Sequence, residues 1–204
     1  MLLHLLFDLI NSFGVVLLWP ISDWRPEFGI VFIIDLVLTG SLAAPLAVAW
    51  FRRHWLVPAS RLALAAVACY FAFCGVNRAW AMRALPGAES ASLSYVFPEP
   101  LGPHRWRGVV REGERYRVYL VYSLSGRSTQ AAEIRTRLSD PAVERARTMP
   151  LAKRFEWFAK APVWDVRGDL AEVYDLRFAS LVVRRDAAFR FRFRVRPGAV
   201  TRER

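Results

Sequence analysis

The sequence has little cysteine and little lysine. Its only cysteines, Cys69 and Cys74, stand in one apolar run and five positions apart, a spacing that does not bring two side chains together on a helix. We therefore expect both to be small apolar residues, and we predict neither a disulfide nor a metal pair. Lys153 and Lys160 are the only lysines among 29 basic residues. Arginine suits forked contacts to phosphate or carboxylate groups, although a solvated surface is the simpler interpretation.

Several ligand-binding motifs are absent as well. The sequence contains no Walker motif, no GxGxxG and no CxxC pair, which leaves nucleotide-binding, Rossmann and zinc-ribbon functions without support. We expect no organic cofactor and no nucleic-acid partner. Ser12 has no GxSxG context, so a serine nucleophile is not predicted. The N-terminus lacks a basic region and a small-residue cleavage site, so we expect its apolar run to remain in the protein rather than to act as a signal peptide.

Hydrophobic residues, by contrast, make up 54% of the chain, more than the roughly 45–50% of ordinary globular proteins. Three apolar segments, 2–19, 28–50 and 62–80, are each near the roughly 20 residues that a helix needs to cross a bilayer. Tryptophans stand near the segment ends, as in an aromatic belt. We therefore predict a bundle of three transmembrane helices in a membrane region over 1–83, a multi-pass topology and the lipid bilayer as a partner.

The rest of the chain has a different character. Residues 1–83 hold six arginines and four acidic residues, a balance of +2, so residues 84–204 carry the remaining +9 of the net charge of +11. Residues 84–103 are rich in Pro, Gly and Ser, which predicts a linker. We expect a small soluble α+β domain with an antiparallel sheet over 104–196, followed by a basic tail over 197–204.

Strands of this second domain are indicated by alternating apolar residues. We predict them at 104–111 and 114–124, joined by a turn at Glu112-Gly113, and at 170–178 and 188–196. In the last, Phe189, Phe191, Phe193 and Val195 alternate with Arg190, Arg192, Arg194 and Arg196, so one face is expected to pack on a core while the other meets water. One or two helices are predicted over 141–160, with Pro150 as a break.

A polar stripe interrupts the first apolar segment. His4, Asp8 and Asn11 are spaced i, i+4, i+7, which places them within about 60° on a helix. An imidazole and a carboxylate four residues apart can both reach one divalent ion, and ionisable residues within membrane segments are costly and usually functional. The alternative is structural: His4 lies at the membrane interface and Asp8 caps or pairs with a neighbouring helix. Two ligands are also fewer than the three of a typical catalytic zinc site.

Asp35 is a second costly acid, because it lies within the second apolar segment. It could pair with an arginine or reach the same site as the stripe. Thr39, one turn later, could equally satisfy it as a local polar partner.

The residues around the stripe resemble a known family. The strings HLLFDLINSFGVVLLWPIS at 4–22 and IVFIID at 30–35 are similar to the YdjM-like family of bacterial inner-membrane, metal-dependent hydrolases. The family pattern has a His, three residues, an Asp, a polar residue, a Gly and an LLWP-type stop, here at His4, Asp8, Asn11, Gly14 and 17–20. The strings PLGPHRWRGVV, RYRVYLVYSL, FEWFAKAPVWDV and YDLRF resemble a longer branch of the family, so the resemblance spans nearly the whole chain.

The resemblance implies a metal-dependent hydrolase of the inner membrane and does not establish its substrate. Our own hypothesis is a phosphoester or a lipid-like molecule. The resemblance also implies His4 and Asp8 as metal ligands, and we expect Asn11 and Asp35 to support them. The expected cofactor is a divalent metal, with zinc as the leading candidate. Such an ion lowers the pKa of bound water and polarises a substrate oxygen.

The sequence also departs from the family pattern. Two earlier motifs of the family, a DxDH-type cluster and an HRGxTHS-type segment that would supply most other ligands, are not present. Leu36 stands where the longer branch commonly has Pro, and Asn11 where Thr is frequent. Two interpretations follow. The chain is a fragment or has a misplaced start, and the complete protein is a hydrolase; or it is a short, non-catalytic, membrane-anchored binding module whose basic sheet surface takes an anionic partner.

Overall fold

The computed structural model describes residues 2–100, 102–182, 189–196 and 199–203. Five α-helices are present in these ranges: α1 Leu2–Ile10, α2 Leu36–Phe51, α3 Leu56–Arg83, α4 Pro141–Arg147 and α5 Pro150–Phe158. Eight strands accompany them: β1 Leu93–Pro98, β2 Arg105–Glu112, β3 Arg115–Tyr122, β4 Arg127–Arg135, β5 Pro162–Arg167, β6 Leu170–Asp175, β7 Phe191–Arg196 and β8 Ala199–Glu203. Helices followed by two antiparallel sheets confirm the predicted order of helical and sheet-containing parts.

The chain forms two compact units. The first consists of Met1–Ala84, Phe97–Trp106 and Val121–Arg127, and it contains α1, α2 and α3. The second consists of Leu85–Val96, Arg107–Leu120 and Ser128–Arg204.

The first apolar segment does not form the predicted spanning helix. Helix α1 has 9 residues, and at 1.5 Å per residue it is about 14 Å long, against roughly 30 Å of hydrocarbon. It ends because the Oδ1 atom of Asn11 accepts a hydrogen bond from the Phe13 N–H at 2.7 Å, which turns the chain. Gly14 then adopts a φ of 74°, and a Cβ at that position would lie 3.1 Å from the Pro26 carbonyl oxygen. The chain therefore folds back on itself instead of continuing as a helix.

The other two apolar segments are helical. The second begins only at Leu36, after an extended stretch, so α2 has 16 residues and is shorter than predicted. Together with the preceding turn, α3 forms an apolar helical stretch, Arg53–Arg83, that is long enough to cross a bilayer; among the described residues no other helix reaches that length. Its side chains Leu62 and Leu64 are 73% and 65% exposed, as expected of a helix that faces lipid. Three transmembrane helices are therefore not confirmed, and neither is a multi-pass topology.

The second unit follows the predicted strand pattern in part. Strands β2 and β3 are joined at Glu112-Gly113 as predicted, and Gly113 has the positive φ of 56° that this tight turn requires. Helices α4 and α5 are separated before Pro150, as predicted. The prediction did not include β1, which lies within the stretch 84–103, or β4, β5 and β8. Strand β7 begins at Phe191, and Ala188 of its predicted range lies outside the described residues.

The second sheet carries one hydrophobic core cluster of this unit. Its order is β5-β6-β7-β8, and β7 pairs with β6 so that Phe193 lies opposite Ala171. Helices α4 and α5 cover one face of the sheet. The buried side chains between them are Val143, Ala146, Ala152, Phe155, Trp164, Ala171, Val173, Phe193 and Val195. The predicted alternation is confirmed at Phe193 and Val195, which are buried while the arginines between them are not. It is wrong at Phe189, which was predicted on the same core face but precedes β7 and is 59% exposed.

A tyrosine links the first sheet to β5 within the same unit. Burial raises the pKa of Tyr116 to about 12, so its hydroxyl stays protonated at neutral pH. That hydroxyl donates a hydrogen bond to the Pro162 carbonyl oxygen at 2.8 Å.

Candidate functional site

Helix α1 is held in place by its apolar side chains. The ring of Phe7 packs edge-on against Phe71 of α3, with 6.3 Å between the ring centroids. Ile10 is buried with Val31 and Cys74. Backbone hydrogen bonds, among them the one from the Ile30 N–H to the Ile10 carbonyl oxygen at 2.9 Å, fix the end of the helix. The polar residues of α1 are thus carried on a helix with a defined position in the first unit.

The structure brings His4 and Asp8 together, as the i, i+4 spacing predicts. The Nε2 atom of His4 lies 3.3 Å from Oδ2 of Asp8, and the two side chains are 82% and 39% exposed. An exposed pair of this kind contributes only about 0.3–0.5 kcal/mol to a helix. The pair therefore contributes little to the stability of α1, and both side chains are accessible to a ligand.

Asn11 has a structural role at the end of α1. Its Oδ1 atom is engaged by the Phe13 N–H in the turn that ends α1. The structure gives this side chain no contact with His4 or Asp8 among the described residues. Its support of the pair is therefore indirect, through the position at which α1 ends.

Asp35 also serves a structural purpose. Its Oδ1 atom accepts a hydrogen bond from the Leu38 N–H at 2.9 Å and caps α2, while Oδ2 accepts one from the Tyr70 hydroxyl at 2.6 Å. Thr39 was a possible partner for this side chain, but its hydroxyl donates to the backbone carbonyl of Asp35 instead. Both carboxylate oxygens are thus occupied by groups of α2 and α3.

The donor types of His4 and Asp8 suit a divalent metal, since imidazole nitrogen and carboxylate oxygen are both zinc ligands. Their number does not complete a site. Across residues 2–100, 102–182, 189–196 and 199–203, no group of three or more His, Cys, Asp or Glu side chains is placed to hold an ion. The residues present therefore fit one side of a metal site and not a whole one.

The sequence analysis did not single out Arg78, which stands on α3 near the end of α1. A Cβ built on Gly29 would lie 3.6 Å from the Ser12 Oγ and 3.8 Å from the Arg78 Nε. This Nε is buried and has no hydrogen-bond partner in the described part of the chain. A guanidinium within an apolar helix is costly and commonly functional, and that placement was the available sequence signal.

The four arginines at 190–196, of which Arg190 precedes β7, are paired with acidic side chains. Arg190 and Arg192 lie 3.6 Å and 3.1 Å from carboxylate oxygens of Glu172. Arg194 contacts Glu203 at 2.5 Å and Asp169 at 3.8 Å, and Arg196 contacts Asp169 at 3.9 Å. Much of the positive charge of this face is therefore compensated within the sheet.

The capping role of Asp35 gives a first prediction. We expect Asp35→Ala to destabilise α2 by about 1 kcal/mol, because it removes a helix cap, and to leave the metal content of the protein unchanged. Asp35→Asn keeps an oxygen for the Leu38 N–H and should cost less. Circular dichroism and elemental analysis of the detergent-solubilised variants measure the two effects. A loss of bound metal in Asp35→Asn would show that this carboxylate is a ligand.

Comparisons with known proteins give a family match for the N-terminal part of the chain. No curated protein and no solved structure matches the chain. Residues 1–81, which include the His4–Asp8 pair and Arg78, match the family model described as YdjM inner membrane protein. This match confirms the YdjM-like resemblance over residues 1–81 and supports a location in the inner membrane.

Proposed function

We propose that this chain acts as a membrane-bound, metal-dependent hydrolase, in which His4 and Asp8 form one side of the metal site. The observation that carries the proposal is the 3.3 Å approach of His4 Nε2 to Asp8 Oδ2 on an accessible helix face. A bound divalent ion would supply Lewis acidity and a more acidic water molecule. The remaining ligands would come from outside the described residues.

Each residue has a separate task in this proposal. His4 and Asp8 would hold the ion, and the packing of Phe7 against Phe71 would keep their helix in place. Arg78 offers a cation close to Gly29, whose N–H donates a hydrogen bond to the Asn11 carbonyl oxygen just after α1. Since arginine binds phosphate oxygens well, a phosphoester or an anionic, lipid-like molecule is the substrate class that we favour.

The test is the metal content of the purified full chain. We expect His4→Ala and Asp8→Ala each to lower bound zinc at least tenfold. Loss of a group that only hydrogen-bonds a metal ligand already costs about 10–100-fold in affinity, and loss of a ligand should cost no less. His54→Ala is the matched control, since His54 is an exposed histidine of the short turn Arg53–Trp55. Zinc content that is unchanged in both variants would refute the metal site, whatever the activity of the protein.

The alternative function, a non-catalytic module that binds an anionic partner through the arginines at 190–196, has weaker support. All four arginines have an acidic neighbour. Such pairs leave less net charge for a partner, and their contribution falls with added salt. We therefore retain the hydrolase as the proposed function.

A further inference from the structure

A phenylalanine groove lies between α5 and β7 in the second unit. It has a volume of about 190 Å³ and is lined by Leu151, Arg154, Phe155, Phe158, Phe189 and Phe191. The first four are spaced i, i+3, i+4, i+7 on α5, so they form one stripe of that helix. Arg154 is the only polar side chain among the six.

The rings that line the groove make two sets of aromatic contacts. Phe155 and Phe191 have ring centroids 5.2 Å apart, and Phe178, behind the groove, lies 4.8 Å from Phe189 and 6.2 Å from Phe158. The walls are thus held in place by ring contacts. An aromatic slot of this kind attracts an apolar ligand.

Phe189 stands exposed at the mouth of the groove. Its side chain is 59% exposed, and its backbone has a φ of 58°, which is an outlier for a bulky residue. Strained backbone of this kind concentrates at sites that bind a ligand. This backbone conformation leaves the apolar ring of Phe189 partly exposed at the surface, where a ligand could cover it.

The positive charge of Arg154 indicates which kind of ligand suits the groove. Arg154 is exposed and makes no ion pair with the residues that the structure describes, in contrast to the arginines of β7. Arginine forms forked contacts with phosphate. A volume of about 190 Å³ is below the roughly 300–1,000 Å³ of sites for drug-sized molecules, so it suits part of a single acyl chain. An anionic phospholipid combines these two features.

The groove belongs to the same chain as a helix that is long and apolar enough to cross a bilayer. Helix α3, the helix long enough to cross a bilayer, ends at Arg83, and β1 begins at Leu93. Because both units belong to one chain, a lipid-embedded α3 would raise the effective concentration of lipid for a site in the second unit. Apolar and basic side chains side by side are typical of surfaces that bind anionic bilayers.

We propose that the phenylalanine groove binds an acyl chain of an anionic phospholipid at the bilayer surface, with Arg154 on the phosphate. The site is separate from the His4–Asp8 pair and does not depend on its function.

The test is photo-crosslinking of the full chain in nanodiscs. A photoreactive phenylalanine analogue replaces Phe189 in one variant and, as the control, Gln130, an exposed residue of β4, in another. The nanodiscs contain phosphatidylcholine, with or without phosphatidylglycerol. We expect several-fold more lipid adduct at 189 than at 130, and more with the anionic lipid.

Charge variants complete the experiment. Arg154→Glu should reduce the adduct at 189 several-fold and remove its dependence on phosphatidylglycerol, whereas Arg127→Glu, a charge reversal on β4, should leave it unchanged. Arg154→Gln should lie between the two. His4→Ala should have no effect, which separates this site from the proposed hydrolase. Equal labelling at 189 and 130, indifference to Arg154→Glu, or an adduct with a second copy of the chain would each overturn the proposal.

Discussion

Asp175→Ala should destabilise the second unit by about 3–5 kcal/mol, because it leaves a buried arginine without its acid. Asp175 is fully buried, and its Oδ2 atom lies 3.2 Å from the Arg177 Nη2 atom. The carboxylate also accepts hydrogen bonds from the backbone N–H groups of Lys160, Ala161 and Arg177 at 2.9–3.1 Å. The substitution removes all of these acceptors at once. A domain is typically stable by only about 5–15 kcal/mol, so a large part of its stability would be lost.

Urea unfolding of the detergent-solubilised chain, followed by protease resistance of the second unit, measures this loss. Asp165→Ala is the matched control. Asp165 contacts the exposed arginines Arg137 and Arg167 at 3.7 Å and 3.3 Å, and such surface pairs contribute about 0–1 kcal/mol. Equal losses in Asp175→Ala and Asp165→Ala would contradict the view that Asp175 organises the interior of this unit.

Phe193→Ala is expected to cost about 3–5 kcal/mol in the same unit, the usual range for a buried phenylalanine. Phe193 is fully buried, and its ring centroid lies 5.9 Å from that of Trp164. It lies opposite Ala171 on β6, so a small neighbour cannot fill the cavity that the substitution leaves. The same urea and protease measurement applies.

Phe189→Ala is the control for this substitution, because the two phenylalanines are close in sequence but differ in burial. Phe189 is 59% exposed, and we expect its loss to cost about 1 kcal/mol or less. If Phe189→Ala were as destabilising as Phe193→Ala, the ring would be a structural one, and its availability to lipid would be in doubt.

Sequence patterns predicted those parts of the fold that depend on local chemistry. The turn at Glu112-Gly113 was predictable because glycine readily takes the positive φ that the turn needs. The break at Pro150 was predictable because proline cannot continue a helix. The burial of Phe193 and Val195 followed from strict alternation along β7. Each of these features involves residues that are near one another in the chain.

Features that depend on distant residues were harder to predict. Hydropathy measures composition, so it marked residues 2–19 as one span, although Asn11 and Gly14 divert the chain. Strand β1 lies in a stretch rich in Pro, Gly and Ser, and it is ordered by pairing with β2. The residues of β1 alone contain no sequence pattern that predicts its pairing with β2.

The candidate site shows the same division. The approach of His4 to Asp8 follows from helix geometry alone, and the structure confirms it. The engagement of Asp35 by Tyr70 joins residues 35 positions apart, and the approach of the Arg78 side chain to Gly29 joins residues still further apart. Neither contact has a signature in the sequence.

The arginines of β7 have a consequence for the pairing of the second sheet. Arg192 lies opposite Glu203 and Phe193 opposite Arg202. A slip of one residue would turn Phe193 and Val195 towards solvent and bring the arginines to the core. It would also break the ion pair between Arg194 and Glu203. The alternation of phenylalanine and arginine thus favours one alignment of β7 with its neighbours, because any alignment shifted by one residue would expose the apolar side chains and bury the charged ones.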